Sequence, residues 1–388
     1  MSAMTHQSFR LAPIGIAIAV ALVPSARISA AGPSELESNL TIALDGAAKT
    51  FRLEGAMNAL NIPSVSLALI DGDRVAFARA YGASATPETL YQAASLSKFV
   101  AAVGAMRLVE AKRLDLDEDV NAKLTSWKVP ANGFDKHHPV TLRGLLSMTA
   151  GINVPGFLGY EIGTPVPNLT QILYGAQPAN SPPVTVIAAP GSVYRYSGGG
   201  YEIAEALMAD TMQRPFPGIM NDVVLEPAGM SRSTFAQTLP TDLNSQAMRG
   251  HSADGRQLHG GYHIYPEHAA AGLWSTPTDL ANLLILIGRA WRGESQLFLR
   301  SETARMMLTR QNDGPYGLGA AIGGTGGDLA LMKRGQNAGY QSYLILLPAE
   351  GKGMVVMTNS DNGSILAGAL IRRAAQVFDW PALGTLED

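Results

Sequence analysis

Ser95 and Lys98 stand three residues apart in Ser95-Leu96-Ser97-Lys98, the only Ser-x-x-Lys in the chain. On a helix this spacing puts both side chains on one face, about 5–6 Å apart at Cβ. A serine hydroxyl is a weak nucleophile until a base takes its proton. A lysine on a nearly uncharged helix loses solvation, so its pKa is expected to fall until it can share that proton. The pattern alone also fits a serine N-cap followed by a solvated lysine, so the chemical reading depends on partners elsewhere. No Gly-x-Ser-x-Gly elbow offers a second serine nucleophile.

Two candidates for those partners exist. Tyr196 lies in Tyr194-Arg195-Tyr196-Ser197-Gly198-Gly199-Gly200-Tyr201, where three glycines permit close backbone approach. A tyrosine there can act on protons if nearby cations lower its pKa from about 10; otherwise it is a core residue beside a glycine turn. Lys333-Arg334-Gly335 ends an expected strand and is followed by Gly339-Tyr340. A cation at that point can hold a substrate carboxylate or stabilise a tyrosinate, or simply protect a sheet edge. His259, His263, Glu267 and His268 invite a metal reading, but no His-Glu-x-x-His occurs. No metal site is assigned to them. The chain has no cysteine, which excludes disulfides, thiol nucleophiles and thiolate-ligated metals.

Positioning these residues requires a large core, and the composition supplies one. Of 388 residues, 46% are hydrophobic and 16% charged, with a net charge of -3 and no basic block. Nucleic acid therefore has no electrostatic footing as a partner. Arg10 followed by the apolar run Leu11 to Val23 and small residues at Ser29 to Ala31 has the order of a secretory signal peptide. Residues 1–31 are read as that peptide, which implies a periplasmic or secreted protein without stable membrane insertion after cleavage.

Ser34 to Leu60 reads as a helix, with Ser34 and Glu37 spaced as a capping box. Ser64 to Ile70 and Val75 to Tyr81 flank Asp71-Gly72 as a hairpin. Ser95 to Lys112 is a buried helix. Further helices are expected over Thr141 to Met148, Tyr201 to Met212, Phe216 to Leu225 and Pro277 to Trp291, the last capped by Thr276. Val154 to Val184 reads as a long loop. Tyr316 to Ile322, Leu329 to Lys333, Ser342 to Leu347 and Gly353 to Thr358 are short strands before a helix from Ile365 to Phe378. The expected fold is α+β. One antiparallel sheet is built from N- and C-terminal segments (about 34–112 and 285–388) and flanked by terminal helices. A mostly helical region, about 113–284, is inserted.

The order Ser-x-x-Lys, Tyr-Ser-x, Lys-x-Gly resembles the serine β-lactamase and penicillin-binding protein superfamily. It is most similar to the branch of class C β-lactamases, D-Ala-D-Ala carboxypeptidases and family VIII esterases. The stretches Tyr91 to Lys98, Leu145 to Gly151, Ala271 to Pro277, Gly335 to Tyr340 and Thr358 to Asn362 carry the likeness, which extends from Ile62 to Phe378. The resemblance implies a β-lactamase/transpeptidase-like fold and an acyl-enzyme on Ser95. Lys98 would be its activator, and Tyr196 the proton relay. The amide of Ser95 and one near Gln336 would form the oxyanion hole, and Ser197, Gly198, Lys333, Gly335 and Gln336 would bind substrate. It implies no cofactor and no metal. Gly198 departs from the asparagine usual there, which favours esters over β-lactams and D-peptides; Lys333 favours substrates with a carboxylate. Ser360-Asp361-Asn362 follows Lys333 in the chain and reads as a turn. The resulting expectation is an exported esterase with some β-lactam reactivity. The alternatives are a class C-like β-lactamase or D-alanyl carboxypeptidase, and a non-catalytic receptor for peptidoglycan fragments.

Overall fold

The computed structural model describes residues 32–381 apart from 45, 83, 132 and 135–137. The expected signal peptide lies outside the described residues. The first helix does not run from Ser34 to Leu60. A short α1 (Pro33–Leu36) leads into a hairpin, β1 (Leu40–Leu44) and β2 (Ala47–Phe51), before α2 (Leu53–Ala59). Asn39 adopts φ 57° and Gly46 φ 77°, which break the helix and turn the hairpin. Leu40 and Ile42 are buried while Thr41 and Ala43 are exposed, so the local period is two. The capping contact comes from Glu35, whose Oε2 accepts the Gly32 N–H at 2.8 Å. Glu37 instead accepts the Tyr81 hydroxyl at 2.6 Å.

The expected hairpin forms as β3 (Val65–Ile70) and β4 (Val75–Tyr81). A two-residue β5 (Tyr91–Gln92) then turns into α3 (Leu96–Glu110), which is buried along most of its length. The middle of the chain supplies α4 (Leu142–Leu146), β6 (Tyr160–Glu161), α5 (Leu169–Tyr174), α6 (Gly198–Met212) and α7 (Phe216–Met220), which runs on into a π turn over Asn221–Leu225. There follow α8 (Thr241–Asn244), β7 (His263–Ile264), α9 (His268–Ala271), β8 (Trp274–Ser275), α10 (Pro277–Arg292) and α11 (Ser301–Met307). The chain ends in β9 (Ala321–Gly323), β10 (Ala330–Asn337), β11 (Tyr340–Leu347), β12 (Lys352–Thr358) and α12 (Gly363–Val377).

Two expectations change here. Val154 to Val184 is not a bare loop: β6 pairs with β7, and α5 is opened by a capping box between Asn168 and Gln171. The strand expected over Tyr316 to Ile322 shrinks to β9, because Gly319 adopts φ 109° against α3. A Cβ at Gly319 would lie 2.7 Å from that of Ala102.

The main sheet runs β4-β3-β12-β11-β10-β9 and is antiparallel throughout. Chain ends meet where β3 pairs with β12, Val65 opposite Thr358 and Ile70 opposite Gly353. Both faces are covered, which explains why all six residues of β3 and all eight of β11 are buried. One face packs on α2, β1 and α12 through Leu67, Ile345, Val356, Leu366 and Leu370. The other carries α3 and α10 through Phe99, Val103, Leu344, Val355, Leu280 and Leu284. Each such side chain contributes about 1.5–3 kcal/mol by leaving water. Thr276 caps α10 as expected, accepting the Asp279 N–H at 3.2 Å.

Candidate active site

Ser95 occupies the sharp turn between β5 and α3. Ala94, just before it, has φ 50°, a left-handed conformation that costs energy for a residue with a Cβ. Tertiary bonds hold this turn. Ser97 Oγ donates to Ala94 O at 2.5 Å and accepts Leu273 N–H at 3.0 Å, while Ser342 Oγ on β11 donates to Ala93 O at 2.7 Å. Gly335 on β10 presses against the same turn: a Cβ there would sit 2.5 Å from Ala93 O and 3.0 Å from Ser95 N. Only glycine lets β10 and the start of α3 approach this closely. The Ser95 amide donates to no protein group among the described residues.

Lys98 lies one turn along α3, 1% exposed. Its Nζ is 3.1 Å from Ser95 Oγ and 2.8 Å from Ala270 O on α9. It is therefore not a solvated lysine after a serine cap. Tyr196 stands between two lysines, its ring centroid 5.3 Å from Lys98 Nζ and 4.8 Å from Lys333 Nζ. Lys333, on β10, donates to Tyr196 OH at 3.3 Å and to Tyr316 OH at 2.9 Å. It is fully buried. Burial, then the charges of Lys98 and Arg334, push its pKa well below the ordinary lysine value.

Ser95 opens into a cavity of about 620 Å³ lined on one side by Gly335, Gln336 and Asn337 of β10, and on the other by Pro155, Phe157 and Leu158. Tyr196, Tyr265, Arg334 and Asp361 also line it. Of the residues expected to bind substrate, Gly335 and Gln336 line the cavity. Ser197 does not: it is 3% exposed, and its hydroxyl donates to Asn153 O at 2.6 Å and caps α6 by accepting Gly200 N–H at 2.9 Å. Its place as an N-cap explains its type. Gly198 is buried behind Phe157, whose Cε2 would lie 2.9 Å from a Cβ at this position. Lys333 lies behind Tyr196 rather than in the cavity wall. Met148 accepts the Ser197 N–H through Sδ at 3.3 Å.

Sequence reasoning missed Tyr316, Ala270 and Tyr265, which no motif marks, and read Asp361 only as part of a turn. Asp361 sits in the turn after β12, as expected, yet that turn folds back to the cavity, its Oδ1 accepting Gly339 N–H at 2.7 Å. The histidines considered as ligands diverge: His263 Nδ1 is 3.1 Å from Leu158 O, and His268 Nδ1 is 2.9 Å from Glu205 Oε1. Among the described residues no three His, Asp or Glu side chains converge as a metal site.

The fold agrees with comparisons to known proteins. The family model for Beta-lactamase matches residues 52–377, and the chain belongs to that family, whose members are serine hydrolases. Among solved structures, the octameric penicillin-binding protein homologue from Pyrococcus abyssi superimposes with a TM-score of 0.67 at 23% identity, over 84% of this chain and 76% of that one. The D-amino acid amidase from Ochrobactrum anthropi SV3 gives 0.66 at 21% identity, over 84% and 95%. The β-lactamase/D-alanine carboxypeptidase from Yersinia pestis gives 0.62 at 19%, over 84% and 96%. Protein flp of Staphylococcus aureus (strain MW2) is 23% identical over 323 residues, 77% of this chain; the match spans 60% of that relative's length.

Proposed function

We propose that this protein is an exported hydrolase that cleaves esters, and more slowly amides and β-lactams, through an acyl-enzyme on Ser95. The observation that carries the reading is the buried Lys98 Nζ, 3.1 Å from Ser95 Oγ at the edge of the cavity. In its neutral form Lys98 takes the Ser95 proton as Oγ bonds to the acyl carbon. The carbonyl oxygen, now negative, is received by the amides of Ser95 and Gln336, a donor pair of the kind worth roughly 3–4 kcal/mol per bond in acyl transfer. Tyr196 gives a proton to the leaving alkoxide or amine as its bond to carbon breaks. Water then attacks the acyl-enzyme and yields its proton to Tyr196, while Ser95 regains a proton from Lys98. A positive charge on Lys333 would stabilise negative charge on the Tyr196 oxygen during these transfers.

Two features support esters as the main substrates. The asparagine that would hold an acyl-amide carbonyl is replaced by Gly198, and Phe157 fills the space. Lys333, the expected handle for a substrate carboxylate, is engaged by two phenols. The N-terminal segment supports export to the periplasm or beyond.

The test is kinetic. Burst and steady-state rates are measured on p-nitrophenyl esters and nitrocefin for wild type and Ser95→Ala. Turnover of the esters exceeding that of nitrocefin is expected, with a loss on the order of 10⁴–10⁶ in Ser95→Ala. Activity within tenfold of wild type in that variant removes Ser95 from the mechanism. Preference for nitrocefin would favour a class C-like β-lactamase, and one acylation without turnover a receptor.

A further inference from the structure

Behind Lys98 lie three buried carboxyls that the acylation chemistry does not use. Glu202 and Glu205 stand one turn apart on α6, and Glu267 immediately precedes α9; none is more than 2% exposed. Glu205 is satisfied, its Oε2 accepting Ala269 N–H at 2.8 Å and its Oε1 lying 2.9 Å from His268 Nδ1. Glu202 is half satisfied. Its Oε1 accepts the Ala270 N–H at 3.1 Å, and its Oε2 has no hydrogen-bond partner among the described residues. Ala270 is also the residue whose carbonyl accepts Lys98 Nζ at 2.8 Å. Glu202 and Lys98 therefore grip opposite polar groups of one residue.

Resting on the serine-hydrolase reading, we propose that Glu202 is a positioning residue for Lys98. Through Ala270 it fixes where the Lys98 amine sits, and by sharing one proton with that amine it sets the pH at which the amine becomes a free base. With one proton on the pair, either Glu202 is neutral and Lys98 a free amine, or Glu202 is ionised and Lys98 an ammonium. Only the first form can take the Ser95 proton.

The surroundings favour the first form. Burial, then the charges of Glu205 and Glu267, push the Glu202 carboxyl well above the ordinary carboxylate range, while the Ala270 N–H and the Lys98 charge pull it back. The charged groups facing it are few. Lys98 comes from α3, Glu205 from α6 itself, and Glu267 from the residue before α9; His268 lies against Glu205. The other elements packed on α6 bring no charge to it: α4 turns Arg143 outward to Asp117, α5 carries only the exposed Tyr174, and α7 has no titratable residue.

The experiment is the pH profile of kcat/KM for a p-nitrophenyl ester in wild type and Glu202→Gln, with far-UV circular dichroism to confirm the fold. Removing the partner leaves Lys98 titrating alone beside a neutral group. Because the ion-paired share of the one-proton state is lost, the acid limb should move to lower pH by up to about 0.3 unit and sharpen to a single ionisation. A limb that stays in place or moves up overturns the proposal. A second measurement needs no turnover and no folded Glu202 variant. In Ser95→Ala carrying Glu267→Gln, infrared difference spectra taken across pH should show the carbonyl band of a buried protonated carboxyl persisting through the range in which the wild-type rate rises and decaying only above it. A band lost within or below that range overturns the proposal, whereas full hydrolytic activity in Ser95→Ala would instead overturn the reading on which it rests.

Discussion

Tyr196 is held by contacts that a core tyrosine would not need: one lysine donates to its hydroxyl, and a second lies over its ring. If the phenol moves protons in the transition state, Tyr196→Phe lowers kcat by about 10²–10⁴ and leaves KM nearly unchanged. A purely structural role would move the melting temperature and spare kcat, so both are measured on one preparation. At Gly198 the nearest obstacle to an asparagine is a side chain, since Phe157 Cε2 would lie 2.9 Å from its Cβ, with the Pro155 carbonyl oxygen at 3.3 Å. Gly198→Asn with Phe157→Ala should raise the ratio of kcat/KM for nitrocefin over p-nitrophenyl butyrate by about three- to tenfold, the worth of one added hydrogen bond. Gly198→Asn alone should gain less. A flat ratio in the folded double variant would show that this position does not set substrate class.

Between elements, the decisive contact is β10 against the turn into α3. Gly335 faces Ala93, Ser95 and Ser342, and an added methyl would lie 2.4 Å from Ser342 Oγ. Gly335→Ala must push β10 away from the Ser95 amide and open the gap between the two proposed oxyanion donors. A loss of about 10²–10³ in kcat is expected, as for removal of one such donor. It should come with destabilisation of about 1–3 kcal/mol from overpacking. Steady-state kinetics and urea denaturation of the variant measure both; unchanged kcat would remove Gln336 from the oxyanion hole. The same contact shows why motif reading found the serine and lysine but not their surroundings. Ser95 and Lys98 are joined by helix geometry within four residues. Tyr316 and Ala270 reach the site from segments whose own residues carry no chemical pattern.

Across the whole molecule, buried carboxyls link stability to pH. Burial, opposed in part by a backbone hydrogen bond and reinforced by the Glu205 charge, pushes Glu267 up to about 8 from 4.5. Between those two values the folded chain keeps a proton that the unfolded chain releases. Stability therefore falls as pH rises through this window, by up to about 5 kcal/mol for the full displacement. Urea denaturation at about pH 5 and about pH 8 should show that fall in wild type and a flatter dependence in Glu267→Gln. Equal slopes in the two proteins would mean that Glu267 ionises as freely in the fold as out of it.

Short-range patterns determined much of this protein. The helix carrying Ser95 and Lys98 was legible because i and i+3 are neighbours on any helix. The hairpin at Asp71-Gly72, the Thr276 cap and the antiparallel sheet were legible because turn, cap and strand signals are local. The N-terminal hairpin was lost because its apolar spacing over so few residues also suits a helix, and the left-handed Asn39 that decides between them leaves no mark in composition. Only the tertiary structure decided which way Lys333 points, what fills the space beside Gly198, that Ser197 serves as a cap, and that Glu202 and Lys98 meet at Ala270. These are distances between residues far apart in the chain. Packing sets them, because a buried polar group must find its partner wherever the fold brings one within reach.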